Sequence, residues 1–206
     1  MRRIGDTAIA TVTAFALGTG VWLLSTGTGT PPQPSAAEGR PDPGGERGGV
    51  TPLMASPPTR IRIPVIGVNA PLMGLSLTTS GSLDVPPPAE KNLAGWYEAG
   101  TTPGDTGTAV VAGHVDNTEG PAVFYDLGAL KRGAAIEVDR EDATTAVFTV
   151  DSVEVYSAKN FPDSKVYGAS SRPELRVITC GGGYSRSTGY QGNVVVFAHL
   201  TGGHPT

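Results

Sequence analysis

Apolar and polar positions alternate over short stretches of this chain, and a period of two predicts strands. "RIRIPVIGV" (60–68) begins the pattern, and "GSLDVPPP" (81–88) reads as a second short strand stopped by its prolines. "GTAVVAGHV" (107–115) is apolar enough for a buried strand, and "AAIEVDR" (134–140) follows it. "TAVFTVDSVEVY" (145–156) is a long strand, and "ELRVITC" (174–180) and "NVVVFAHL" (193–200) complete the set. Only "GPAVFYDLGALKRG" (120–133) carries a convincing helical turn. Seven or eight short strands with turn residues between them predict an all-β sandwich or closed barrel.

The pattern breaks down before residue 59. Arg2 and Arg3 precede an uncharged run from Thr7 to Ala37 whose apolar part spans about 17 residues, Ala8 to Leu24. As a helix it would be ~25 Å long, at the short end of the membrane-spanning range. We read residues 1–26 as an N-terminal membrane anchor with its start in the cytoplasm, by the positive-inside rule. A cleavable signal peptide is the competing reading, although "SAA" (35–37) lies far from the apolar run for a cleavage site. Residues 27–58 are rich in Pro, Gly, Ser and Thr and read as a flexible linker. Residues 59–206 form the expected β domain.

Composition narrows the function. The net charge of −4 comes with no basic stripe, so nothing in it favours nucleic acid. A single cysteine excludes an internal disulfide and a cysteine-rich zinc site. The three histidines, His114, His199 and His204, lack the spacing of a metal pair on a helix. No cofactor or metal is expected.

That one cysteine, Cys180, ends a strand and precedes Gly181, Gly182 and Gly183. Alternation puts Leu175, Val177 and Thr179 on one face and Arg176, Ile178 and Cys180 on the other. The glycines would let the chain turn sharply and a substrate approach the backbone, whose N–H groups can stabilise an oxyanion. A buried, inert thiol is the plain alternative. A reactive thiol needs a base or a cation beside it. His114 ends an apolar strand that abruptly turns polar, and is the best candidate. His199 reads as a rim residue and His204 as part of a tail. Asp116 and Asn117 follow His114 and read as turn residues or as groups that orient it.

Taken together, "TAVVAGHVDN", "FYDLGALKRGA", "RVITCGGGY" and "NVVVFA" resemble a sortase, over roughly residues 59–201. "TCGGGY" and "NVVVFA" are most similar to the class F sortases of actinobacteria. The resemblance implies a closed eight-stranded β-barrel with one or two short helices. It implies a cysteine transpeptidase that cuts an LPxTG-like sorting signal between Thr and Gly. The nucleophile falls on Cys180 and the catalytic histidine on His114. The implied partners are surface proteins bearing a C-terminal sorting signal, a peptidoglycan-precursor amine acceptor, and the membrane through the anchor.

The family's third residue, an arginine, is carried by many members on the strand after the cysteine, where this chain has Asn193. Arg176, on the same strand face as Cys180 and about 13 Å back along it, is the favoured replacement. Arg186, in the loop after the cysteine, is the other. Ile178 and Thr179 are expected to contact substrate. Phe124 and Leu127 are expected to anchor their segment in the core. A hydrolase with the same pair, water replacing the amine, and a non-catalytic surface barrel stay open as alternatives.

Overall fold

The computed structural model of the 206-residue chain describes residues 29–39 and 50–206. The expected anchor, residues 1–26, lies outside the described residues, as do residues 40–49 of the linker. No described helix is long and apolar enough to cross a membrane.

Eight strands close into a barrel, as expected. β1 (Pro58–Ile63) pairs antiparallel with β2 (Val68–Leu75), and β2 runs parallel to β3 (Ala94–Tyr97). β3 pairs antiparallel with β4 (Gly107–Gly113). Two very short strands, β5 (Asp116–Asn117) and β6 (Gly120–Pro121), form a separate hairpin just after His114. β7 (Ala135–Arg140), β8 (Thr144–Ser157), β9 (Pro173–Ser185) and β10 (Gly189–Pro205) complete the wall in the order β1-β2-β3-β4-β9-β10-β8-β7, with β7 returning to β1. Besides β2 with β3, the parallel contact is between β4 and β9. That pair brings two strands distant in sequence side by side, pointing the same way.

The interior follows from alternation. Ile61 and Ile63, Val111, Ile136 and Val138, Leu175 and Val177 all point inward and are fully or almost fully buried. Phe124 and Leu127, both at 0 % exposure, join this core as expected. Removing either ring or branched chain would leave a cavity, a loss of about 2–5 kcal/mol. Gly113 is glycine for a packing reason, since a Cβ there would lie 2.7 Å from the Phe124 ring and from Val123.

A second apolar cluster lies on the outer side of the same wall. Val110 and Ala112 of β4, Ile178 of β9, and Val195 and Phe197 of β10 form its floor. It is covered by Leu75, Leu83 and Val166, with Phe161 and Tyr167 packed alongside. Val166 belongs to the short helix α1 (Asp163–Tyr167), in the connection between β8 and β9.

Four local expectations are corrected. "RIRIPVIGV" is β1, a 3₁₀ turn (Pro64–Ile66) and the start of β2, broken where Gly67 adopts a left-handed φ of 68°. "GSLDVPPP" is no strand, since only Leu83 bridges to Leu77. The helical turn at 120–133 is a single 3₁₀ turn, Leu127–Ala129, and the α-helix is α1. β9 does not turn at its glycines. It continues to Ser185 against β10, with a register shift at Tyr190/Gly192 and positive φ at Gly182 (75°) and Gly183 (94°).

The linker expectation also changes. Residues 50–57 pack onto the barrel, with the Leu53 N–H donating to the Gly104 carbonyl and the Arg140 guanidinium to the Met54 carbonyl. Residues 29–39 lie against the barrel too, a placement taken up below.

Candidate active site

The parallel register of β4 and β9 runs Val110↔Arg176, Val111↔Val177, Ala112↔Ile178. The pairing ends there, and the same register continued by two residues would set His114 opposite Cys180. Val110, Ala112 and Ile178 share the outer apolar cluster, so the same alternation carries His114 and Cys180 to that outer face. Thr179, between them on the inner face, donates its hydroxyl to the Gly113 carbonyl at 2.8 Å and ties the two strand ends together.

His114 is held by a residue that the sequence did not flag. Its Nε2 lies 2.7 Å from the carbonyl oxygen of Pro86. A carbonyl only accepts, so Nε2 carries the proton in that bond. Nδ1 is therefore the ring atom left to exchange a proton. Asn117 does not orient the histidine. It donates to the Pro88 carbonyl at 2.8 Å, fixing the same proline run over the end of β4.

Cys180 is partly exposed and is a free thiol. Burial pushes its pKa up to about 11, and the nearby Asp116 carboxylate adds to the shift. Asp116 itself is raised, chiefly by its own burial. The Tyr190 hydroxyl, which donates to it, and the charge of His114 oppose that rise. Asp116 thus attracts an imidazolium and repels a thiolate. At pH 8, Asp116→Asn should speed alkylation of Cys180 by iodoacetamide severalfold. Removing the negative charge favours the thiolate, so the rate–pH curve moves to lower pH. An unchanged curve would show that Asp116 does not act on the sulfur.

The other expected site residues fall elsewhere. The Arg176 guanidinium binds Glu174 Oε2 at 2.6 Å and the Leu175 carbonyl at 3.3 Å, and stacks on Phe197 with 4.6 Å to the ring centre. Both hydrogen-bond partners precede it on β9, so the guanidinium is drawn away from Cys180. Arg186 is exposed in the turn between β9 and β10 and makes no hydrogen bond or ion pair among the described residues. Neither arginine is brought to the cysteine. Asn193 is: it is the register partner of Cys180 across β9 and β10, buried to 6 % exposure. Directly opposed residues project to the same face, so its amide stands beside the thiol.

Thr179 sits in the barrel wall with its hydroxyl committed to Gly113, not facing a peptide. Ile178 does lie on the outer face next to Cys180, but at 4 % exposure it is covered by the outer apolar cluster. His199 pairs with Asp151 at 2.8 Å on the far side of β10, and His204 is exposed near the C-terminus.

Two hollows flank this face. One, about 410 Å³, lies at the start of β9 among Lys165, Arg172, Glu174 and Arg176. Its cations are already matched, Arg172 and Arg176 by Glu174 and Lys165 by Glu154. The other, about 160 Å³, is walled by Asp116, Tyr125, Tyr184 and Tyr190 together with Gly29, Thr30 and Pro31, and Asp116 is the carboxylate that acts on the thiol.

A sortase-domain family model matches residues 61–201. No curated protein matches the sequence. The fold is similar to that of Listeria monocytogenes sortase A (17% identity, TM-score 0.55, covering 74% of this chain and 92% of that one). It is also similar to a sortase from Streptomyces coelicolor solved with a tripeptide in its active site (16% identity, TM-score 0.54, covering 73% and 91%). A sortase from Actinomyces oris is similar at 22% identity (TM-score 0.54, covering 76% and 84%). With a family model matched over more than half its length, the chain belongs to the sortases, a cell-surface-associated family of cysteine transpeptidases.

Proposed function

We propose that this sortase is of the class F type and cleaves an LPxTG-like sorting signal between Thr and Gly. It passes the acyl group to an amine of a peptidoglycan precursor. In this reading residues 1–26 anchor the chain in the cell membrane, with the barrel outside. The observation that supports the reading is the parallel register of β4 and β9, Val110↔Arg176 to Ala112↔Ile178, which continued by two residues leads to His114 and Cys180.

The Cys180 thiolate attacks the Thr carbonyl and forms a C–S bond. Electrons move onto the carbonyl oxygen, and an amide donor beside the sulfur stabilises them. The C–N bond to Gly then breaks, and protonated His114 gives its Nδ1 proton to the leaving amine. In the second half, the acceptor amine attacks the thioester while neutral His114 takes its proton. The thiolate leaves and the cycle closes. No cofactor enters. The leucine and proline of the signal would meet the partly buried edge of the outer apolar cluster rather than Ile178, which is buried within it. Burial and the Asp116 charge push the Cys180 thiol well above neutrality, so only a small minority of molecules hold the thiolate at pH 7 and turnover is expected to be slow.

The oxyanion donor needs reassignment. The terminal nitrogens of Arg176 are bound to Glu174 and the Leu175 carbonyl, although its buried Nε has no partner, and Arg186 lies several residues out along the hairpin. We assign the role to the Asn193 side-chain amide, with Gly182 N–H as a second donor. Loss of one such donor lowers kcat about 10²–10³-fold. Asn193→Ala should show that loss at nearly unchanged KM, whereas Arg186→Ala should leave kcat within about twofold. The opposite ranking would return the role to the arginine.

The test of the whole reading is transfer. The protein is mixed with an LPxTG-type peptide and an amine, and products are followed by mass spectrometry. A transpeptidase yields the amine adduct cut after Thr. Release of the free acid alone would favour the hydrolase reading, and an intact peptide would favour a non-catalytic barrel.

A further inference from the structure

Composition alone makes residues 29–39 ("GTPPQPSAAEG") a flexible spacer, yet this segment is held at both ends. At its far end Glu38 is gripped three ways. Its carboxylate accepts the Arg132 N–H at 2.8 Å and lies 3.8 Å from Lys131, and its carbonyl accepts the Val153 N–H at 3.1 Å. At the near end the Tyr125 hydroxyl donates to the Gly29 carbonyl. Pro31 is buried, and Gly29, Thr30 and Pro31 close the outer side of the tyrosine-walled hollow. Between these anchors Gln33 Oε1 accepts the N–H of Gly182 at 3.3 Å, two residues after the cysteine.

Gly128 supplies an independent sign that the barrel is shaped for this segment. It sits in the 3₁₀ turn Leu127–Ala129, where its φ is not positive and alanine would be the better residue. A Cβ at that position would meet the Pro32 carbonyl oxygen at 2.0 Å, and its next nearest atoms also belong to Pro32 and Gln33. Nothing of the barrel itself lies closer.

We infer that residues 29–39 form an intramolecular strap that closes the tyrosine-walled hollow, caps the Gly182 N–H and thereby screens the Cys180 thiol. A side-chain amide carbonyl, that of Gln33, occupies the Gly182 N–H. A proline-containing segment closes a hollow lined by aromatic rings, a pairing in which proline gives up little chain entropy. Tethering keeps the local concentration high, so weak contacts suffice. The screening of the thiol does not depend on the transpeptidase reading. Only the consequence that a peptide substrate must displace the strap rests on it.

The test uses the full-length protein, whose one cysteine makes alkylation unambiguous. Two variants release the strap by different routes, Gly128→Ala by collision and the double change Gln33→Ala/Glu38→Ala by loss of anchors. Both should alkylate with iodoacetamide at least about threefold faster than the parent. Amide exchange at Gly182 should also rise, while exchange in the buried strands stays the same. Adding a synthetic peptide of residues 29–39 at millimolar concentration should slow alkylation of the variants again. If both variants keep the parent's alkylation rate, or Gly182 exchanges equally fast in all three proteins, the strap does not screen the site. Because the readouts are thiol and amide chemistry, they hold even if no sorting peptide is ever turned over.

Discussion

Cys180→Ala is expected to abolish acyl-enzyme formation and amine transfer while leaving the barrel folded. The thiol is the only one in the chain, so no other sulfur can substitute for it. Without the nucleophile no thioester forms and the two-step path disappears, a loss to background on the order of 10⁶ in related nucleophile removals. The fold should tolerate the change. Cys180 is partly exposed at the point where the outer apolar cluster gives way to the site, and alanine keeps its β-carbon. Thermal unfolding of the variant within a few degrees of the parent, with no transfer product, is the expected pair of results.

His114→Ala is the second large effect, a fall in kcat/KM of about 10²–10⁴-fold. The histidine donates Nε2–H to Pro86, and this bond fixes which nitrogen exchanges protons. In the proposed mechanism its removal would delete both the acid for the leaving amine and the base for the acceptor. The two halves should not suffer equally. Thioester formation from an activated ester, whose leaving group needs no proton, should lose much less than formation from a peptide. Measuring both substrates in the His114→Ala variant separates an acid from a merely structural residue. Equal losses would mean that His114 only supports the fold.

Much of this site was legible in alternation alone. The pattern of "ELRVITC" put Cys180, Ile178 and Arg176 on one face, and Ile178 does lie on the outer wall while Leu175 and Val177 fill the core. What alternation cannot supply is pairing between distant strands. The proposed partnership of His114 with Cys180 rests on the parallel contact of β4 with β9, which no local pattern encodes. The same limit applies to the arginine. Arg176 has the right face, but Glu174, two residues back on that face, takes its guanidinium first.

Short or irregular elements escaped for physical reasons. β2 contains Pro71 and Gly74, and β3 is four residues long, so neither shows a clear period. The glycines after Cys180 read as a turn, whereas their positive φ values serve a bulge inside a continuing hairpin. Pro86 read as a strand stop, yet an extended proline run leaves carbonyls free of ladder bonds, and one of them holds His114. The strap looked disordered because its few apolar groups cannot fold alone. It is ordered by tertiary contacts from Glu38, Gln33 and Pro31.

The central claim is tested most directly by the intact mass of the protein during turnover of an LPxTG-type peptide, without added amine. The account predicts a species heavier by the acyl fragment ending in Thr, mapped to Cys180 and discharged by hydroxylamine. It should build up further when His114 is intact than when it is alanine. A peptide consumed with no such adduct at any time, or an adduct on a residue other than Cys180, would contradict it.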